Sequence, residues 1–259
     1  MAGPLETAFE ERLTEVEAYL VFLEELEAAS LTGAPRFGAT GQALSQQQTE
    51  ILKAGIFVQL YNLIEAMMTK SLDALAKASI DGGWRPTQLT SAFRQEWVKV
   101  VAQVNTEMNA ETRLRYAMTL AEQFVSAQPL QPFQIKKGGG GNWNDTEIEA
   151  MLTKVGLRLV LAPQVRVAVK RPYRDRLGAV GLVKKLRNDL AHGSVSFAEC
   201  GQNETTAGLR DVANRTVMYM RTVVRAVDRY IDRHEYLEPV HRPIPPAAAV
   251  PPIDAEANA

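Results

Sequence analysis

The chain has 259 residues, 46% hydrophobic and 23% charged, with a formal net charge of −1; this is an ordinary globular composition, long enough for one sizeable core. So balanced a charge excludes a polycation that binds nucleic acid indiscriminately, and the single cysteine, Cys200, excludes an internal disulfide or a cysteine-based metal cluster and fits a reducing cytoplasm. The N-terminus has no basic region leading into an apolar run, and no apolar segment reaches about 18 residues without a charge, so neither a signal peptide nor a membrane span is expected.

Leu5 to Ala29 reads as a long acidic helix, with Phe9, Leu13, Val16, Leu20 and Leu23 at alternating spacings of four and three. Such a stripe serves either a short coiled coil with another protomer or packing on the rest of the chain. Met1 to Ser30 carries eight glutamates against Arg12 alone, a balance of −7, whereas Lys136 to His192 carries twelve lysines and arginines against five acids, a balance of +7. The positive field therefore falls on the second half, where the acidic helix would compete with any polyanion.

A linker rich in glycine, proline and glutamine, Thr32 to Gln48, separates this helix from a strong one over Thr49 to Ala78. Between Lys53 and Lys70 the only charged residue is Glu65. A lone carboxylate in so apolar a run is costly to bury unless paired. Either it receives a cation from elsewhere, with Asn62 as a further polar contact, or it lies on a narrow solvated stripe with Asn62 and Thr69.

A Gly-Gly-Trp turn leads to a helix over Thr87 to Val104, whose Phe93 and Trp97 read as core, and a further amphipathic helix spans Ala110 to Ala127. The run Lys136-Lys137-Gly138-Gly139-Gly140-Gly141-Asn142-Trp143 then reads as a flexible loop. It lacks the glycine, lysine and serine or threonine register of a phosphate loop, so nucleotide binding is rejected. Lys136, Lys137 and an exposed Trp143 suit either contact with RNA, by phosphate attraction and stacking, or a simple connector. Asn144 or Asp145 caps a helix to Val155, and the β-branched stretch Leu157 to Val169 predicts a short strand pair broken at Pro163.

The helix predicted from Tyr173 to His192 holds the most informative run, Lys184-Lys185-Leu186-Arg187-Asn188-Asp189-Leu190-Ala191-His192-Gly193. Val183, Leu186 and Leu190 share an apolar face, and Gly193 is suited to the left-handed turn that ends a helix. Asn188 and His192 are i,i+4 neighbours, Arg187 borders their flank, and Lys184 lies close by. Together they make an anion site. Neutral imidazole accepts a proton from a ribose 2′-hydroxyl, imidazolium protonates a leaving oxygen, and guanidinium holds charge on a phosphorane, so the trio suits phosphodiester cleavage without a metal. A basic solvated face with a histidine near its cap is the plain alternative.

A last helix, Ala207 to Tyr236, turns Leu209, Val212, Met220, Val223, Val227 and Ile231 inward and carries arginines at 221, 225, 229 and 233, partly neutralised by Asp228 and Asp232. This ridge reads as a salt-paired face in preference to an RNA rail. His234 and His241 lack metal-site spacing, so no metal or other cofactor is expected. Six prolines from Pro239 to Pro252 predict a disordered tail over 238–259.

The hexapeptide Arg187-Asn188-Asp189-Leu190-Ala191-His192 resembles the arginine, polar residue, three variable residues, histidine signature of the HEPN superfamily. Its continuation through Ser194-Val195-Ser196-Phe197-Ala198-Glu199-Cys200-Gly201, and the run Leu60-Tyr61-Asn62-Leu63-Ile64-Glu65, resemble the MAE branch of HEPN-like proteins. That resemblance implies a mainly α fold: a HEPN-type bundle over 49–237, preceded by the acidic helix and linker at 1–48. It also implies a metal-independent endoribonuclease, leaving a 2′,3′-cyclic phosphate and a 5′-hydroxyl, in a prokaryotic toxin–antitoxin or antiviral system. The expected site is Arg187, His192, Asn188 and Glu65, with Glu65 holding Arg187, and Lys184, Lys185, Lys136 and Lys137 touching RNA. The expected partners are an RNA substrate, a second copy completing a composite site, and an antitoxin or regulator, in the cytoplasm and away from membranes. A non-catalytic module that binds RNA or protein is the alternative.

Overall fold

The computed structural model describes residues 3–36, 38, 41–104, 106–137 and 142–244. Among them the chain forms α1 (Pro4–Ser30), α2 (Gln46–Asp81), α3 (Ser91–Val101), α4 (Ala110–Val125), α5 (Asp145–Lys154), α6 (Pro163–Lys170), α7 (Ala179–Ala191), α8 (Phe197–Gly201) and α9 (Thr206–Asp232). The described residues contain isolated β-bridges, such as Leu89 with Leu237, and no strand. The fold is the mainly α bundle expected from the sequence.

Four helices, α1, α7, α8 and α9, are arranged round α2. Ser45 and Gln48 form a capping box at its start, the Ser45 Oγ accepting from the Gln48 N–H while the Gln48 side chain accepts from the Ser45 N–H. By length and composition the helix is apolar enough to cross a bilayer, and half of its most apolar window is buried inside the protein. Phe57, Leu60, Tyr61, Ile64, Met67 and Met68 are fully buried because α1, α7, α8 and α9 all pack on it.

The apolar stripe of α1, Leu5, Phe9, Leu13, Val16, Leu20, Leu23 and Leu26, is buried against α2 and α9 of the same chain. The flank beside that stripe is held by charge. Arg210 binds Glu17 and Glu24, Arg221 binds Glu10 at 2.7 Å, and Arg225 binds Glu6, so half of the glutamates of α1 answer arginines of α9. Asp228, expected to neutralise the arginine ridge, instead caps the first turn of α1. Its carboxylate accepts the backbone N–H groups of Leu5 at 3.1 Å and Glu6 at 3.0 Å, where the positive end of the helix dipole favours an anion. A side chain at Gly3 would collide with that carboxylate.

Several boundaries differ from the sequence reading. Leu157 to Val169 forms no strand pair: Pro163 starts α6, which buries Val165 and Val169 one turn apart and exposes Val167. The helix bearing the motif starts at Ala179, after a turn in which Asp175 and Arg176 take positive φ. Trp143 is buried, at 1% exposure, and so offers no stacking platform, whereas Trp97 is core as expected. The tail expected to be disordered over 238–259 is ordered at its start, where Pro239–His241 forms a short 3-10 turn and the Glu238 N–H bonds the Gln88 carbonyl at 2.9 Å; its remainder from residue 245, and Gly138 to Gly141, lie outside the described residues.

The carboxyls of Glu10 and Glu24 are held below their ordinary value of 4.5, chiefly by the hydrogen bonds from Arg221 and Arg210. They bind fewer protons folded than unfolded, so the stability they add is present above about pH 4.5 and lost as pH falls through their depressed values. Thermal unfolding followed by circular dichroism should show that loss, and Arg221→Ala should shrink it. An acid response identical in the two proteins would locate the effect elsewhere.

Candidate active site

The buried face of α7 (Val180, Leu182, Val183, Leu186 and Leu190) fixes its rotation against α2 and α9. That rotation lays Arg187 across α2. Its guanidinium donates to the Glu65 carboxylate at 3.0 Å and to the Asn188 amide oxygen at 3.0 Å, and its central carbon lies 3.9 Å from the centre of the Tyr61 ring. Tyr61 and Glu65 are one turn apart on α2, so one helix face supplies both the aromatic floor and the counter-ion. A guanidinium held by ion pair, hydrogen bond and ring has little rotational freedom left.

Asn188 extends the cluster, its amide donating to the Asn142 side chain at 3.2 Å. Asn142 is fixed by its neighbour: Trp143 is buried, and its backbone N–H donates to the Tyr61 hydroxyl at 3.0 Å. The end of the glycine-rich loop is thus pinned beside the motif. Burial pushes the Tyr61 phenol up, so it stays protonated.

His192 is exposed and caps α7. Gly193 follows at φ +71°; its N–H bonds the Leu190 carbonyl, and the Ser194 N–H bonds the Asp189 carbonyl, which together close the helix in a Schellman motif. The imidazole therefore stands at the rim, on the flank it shares with Asn188. The segment leading into α7 is tied to one buried carboxylate. Glu204, 4% exposed, accepts from the Tyr173 hydroxyl at 2.8 Å and from Arg174 at 2.6 Å, joining the turn before α7 to the segment after α8. That carboxylate and its own burial push the Tyr173 phenol far up.

The lysines fare differently. Lys184 lies on α7 and makes no ion pair among the described residues. Lys185 is turned to the other side, bound to Asp189 at 2.7 Å and near Asp175 at 3.4 Å. Lys136 reaches Gln103 at 3.4 Å, and Lys137 is exposed; neither is brought to Arg187. Asn62 is exposed, and the hydrogen bonds of Arg187 go to Glu65 and Asn188. Tyr61, Asn142 and Glu204 join the site without a role assigned from sequence. For Tyr61 a signal existed, since it precedes Glu65 by four residues on a helix; for Asn142 and Glu204 the contacts are long-range, and local sequence carries no trace of them.

Fold and site together define an all-helical module that presents an arginine, asparagine and histidine at the end of one helix, braced by a carboxylate from another. Such modules are HEPN domains, predicted nucleases or RNA-binding units. A family model described as MAE-like HEPN matches residues 1–236, taking in the acidic helix as well as the motif, and the chain belongs to that branch of the HEPN superfamily. No curated protein and no solved structure matches it.

Gly193 has nothing within 4 Å of an added Cβ, so replacing it tests backbone conformation alone. Gly193→Ala should lower unfolding free energy by about 1 kcal/mol, the cost of a left-handed non-glycine residue, and Gly193→Asn by less. Urea denaturation reads both, and equal stability of all three proteins would show that the cap does not constrain the end of α7.

Proposed function

We propose that the protein is a metal-independent endoribonuclease. The observation that carries this reading is the brace on Arg187: Glu65, Tyr61 and Asn188 fix a guanidinium beside the helix end that bears an exposed histidine. In the proposed reaction one neutral imidazole removes the ribose 2′ proton. The 2′ oxygen attacks phosphorus, Arg187 stabilises the charge on the phosphorane, and an imidazolium protonates the departing 5′ oxygen. The products are a 2′,3′-cyclic phosphate and a 5′-hydroxyl.

Each motif carries one histidine, and the two proton transfers occur on opposite sides of phosphorus. A second copy of the motif supplies the other group in this reading, which makes the active form a homodimer with a composite site. Glu65 acts as a positioning residue, and Lys184 offers a phosphate contact. A cytoplasmic toxin or antiviral effector, restrained by an antitoxin or other regulator, is the setting that fits an RNA-cleaving HEPN protein.

One observation favours a second reading, a non-catalytic module that binds RNA or protein. Arg187 is already engaged by three partners, as a structural arginine would be.

Labelled total RNA and transfer RNA incubated in EDTA separate the two. The unmodified protein should cleave, and His192→Ala and Arg187→Ala should each lose about 10²–10³-fold or more in rate. Glu65→Gln, which keeps a hydrogen-bond acceptor, should lose less than Glu65→Ala. Absent cleavage with salt-sensitive RNA binding retained would establish the binding module. Cleavage surviving in both motif variants would place the chemistry elsewhere.

A further inference from the structure

Helix α4 has two apolar faces and uses one. Leu120 and Phe124 lean on α3 and the core, Phe124 meeting Trp97 edge-on at 5.6 Å between ring centres. On the opposite side Leu114, Met118, Ala121 and Val125 follow at spacings of four, three and four, the repeat of a coiled-coil seam. That stripe faces solvent: Leu114 is 62% exposed, Met118 56% and Val125 86%. A shallow groove of about 560 Å³, lined by Met118, Ala121 and Val125, runs beside it. α1 presents a stripe of similar spacing and buries it in its own chain; α4 does not.

The charges beside the stripe point to its occupant. Arg115 and Glu122 lie on the same flank, seven residues apart, and neither forms an ion pair among the described residues. Opposite charges placed about the middle of an apolar seam are self-complementary under two-fold symmetry. When two α4 helices run antiparallel, Leu114 meets Val125 of the second copy and Met118 meets its Ala121. The flank positions then face one another, setting Arg115 against Glu122 of the second copy on both sides of the axis. Glu111 lies beyond the apolar overlap.

We propose that α4 is a self-association surface, pairing two copies of this chain through an antiparallel helix contact. It is separate from any pairing of the motif faces, because it leaves α7 and Glu65 untouched. A 16-residue helix supplies fewer than the roughly 20–30 residues a side of a standard stable interface, so the contact is weak and depends on concentration.

The test is light scattering on the full chain across a dilution series. Arg115→Glu and Glu122→Arg should each halve the mass reached at high concentration. The double reversal, Arg115→Glu with Glu122→Arg, should restore it, because the pair is again complementary. Met118→Lys should abolish the association whichever charges flank it. The side chains are exposed, so each variant should keep the circular dichroism of the unmodified protein. Masses equal to the unmodified protein in every variant would overturn the proposal. So would an unmodified protein that never associates through α4, which would assign the stripe to a partner of different sequence, and so would a double reversal that fails to recover the mass.

Discussion

A carboxylate carried by a long apolar helix must be paired or left in water, and α2 carries one such group in its middle. Glu65 meets Arg187 at 3.0 Å and retains 38% of its side-chain exposure. The pair sits at the rim, where desolvation is partial and the Coulomb attraction partly screened, so its value lies in orientation more than in stability. The Tyr61 ring beneath it removes a further degree of freedom. Each partner is held by different physics: α2 is fixed by burial, α7 by its apolar face, and the turn leading into α7 by the buried carboxylate of Glu204. The result is a charged group fixed before any ligand arrives, which is what stabilisation of a developing charge requires.

How much of this was legible in the sequence depends on the range of the contact. The stripe of α1, the apolar run of α2 and the inward face of α9 are periodic patterns, and periodicity reports burial whatever the partner. Gly193 could be read because only a glycine-tolerant conformation closes that helix. The pairing of Glu65 with Arg187 could be suspected, since each needs an opposite charge and few were available. Trp143 could not be placed: a tryptophan after a run of glycines looks solvent-exposed until α2 is seen beneath it. At Val165, Val167 and Val169 the alternation mimics a strand, yet positions 165 and 169 are also one helical turn apart. The competing pattern won because Pro163 is well suited to begin a helix.

The charge asymmetry shows the same limit from another side. An acidic N-terminus and a basic second half read as two separate fields, one for restraint and one for a polyanion. In the folded chain the acidic helix is answered by arginines that lie outside the basic stretch 136–192. Arg210, Arg221 and Arg225 of α9 each take glutamates from α1, while seven apolar side chains of α1 are buried with them, so the acidic helix is a structural layer. Its glutamates meet α9, with no ion pair to α7 among the described residues.

Pairing beside the motif itself bears on how an RNA would be held. Beside the motif, Lys185 is paired with acids and Arg187 with Glu65, which leaves Lys184 as the cation of α7 without an ion pair among the described residues. Affinity from counterion release scales with the number of phosphates neutralised, at roughly one power of salt concentration for each. One such cation on α7 adds little to nucleic-acid affinity and discriminates little by charge. Under the ribonuclease reading, most of the binding must then come from elsewhere: from a second copy that doubles the site, or from RNA shape presented to the rim where Asn142, Asn188 and His192 stand. Under that same reading, a pre-oriented site completed by a second copy would be inactive at low concentration, which would suit a ribonuclease that acts on the cell's own RNA.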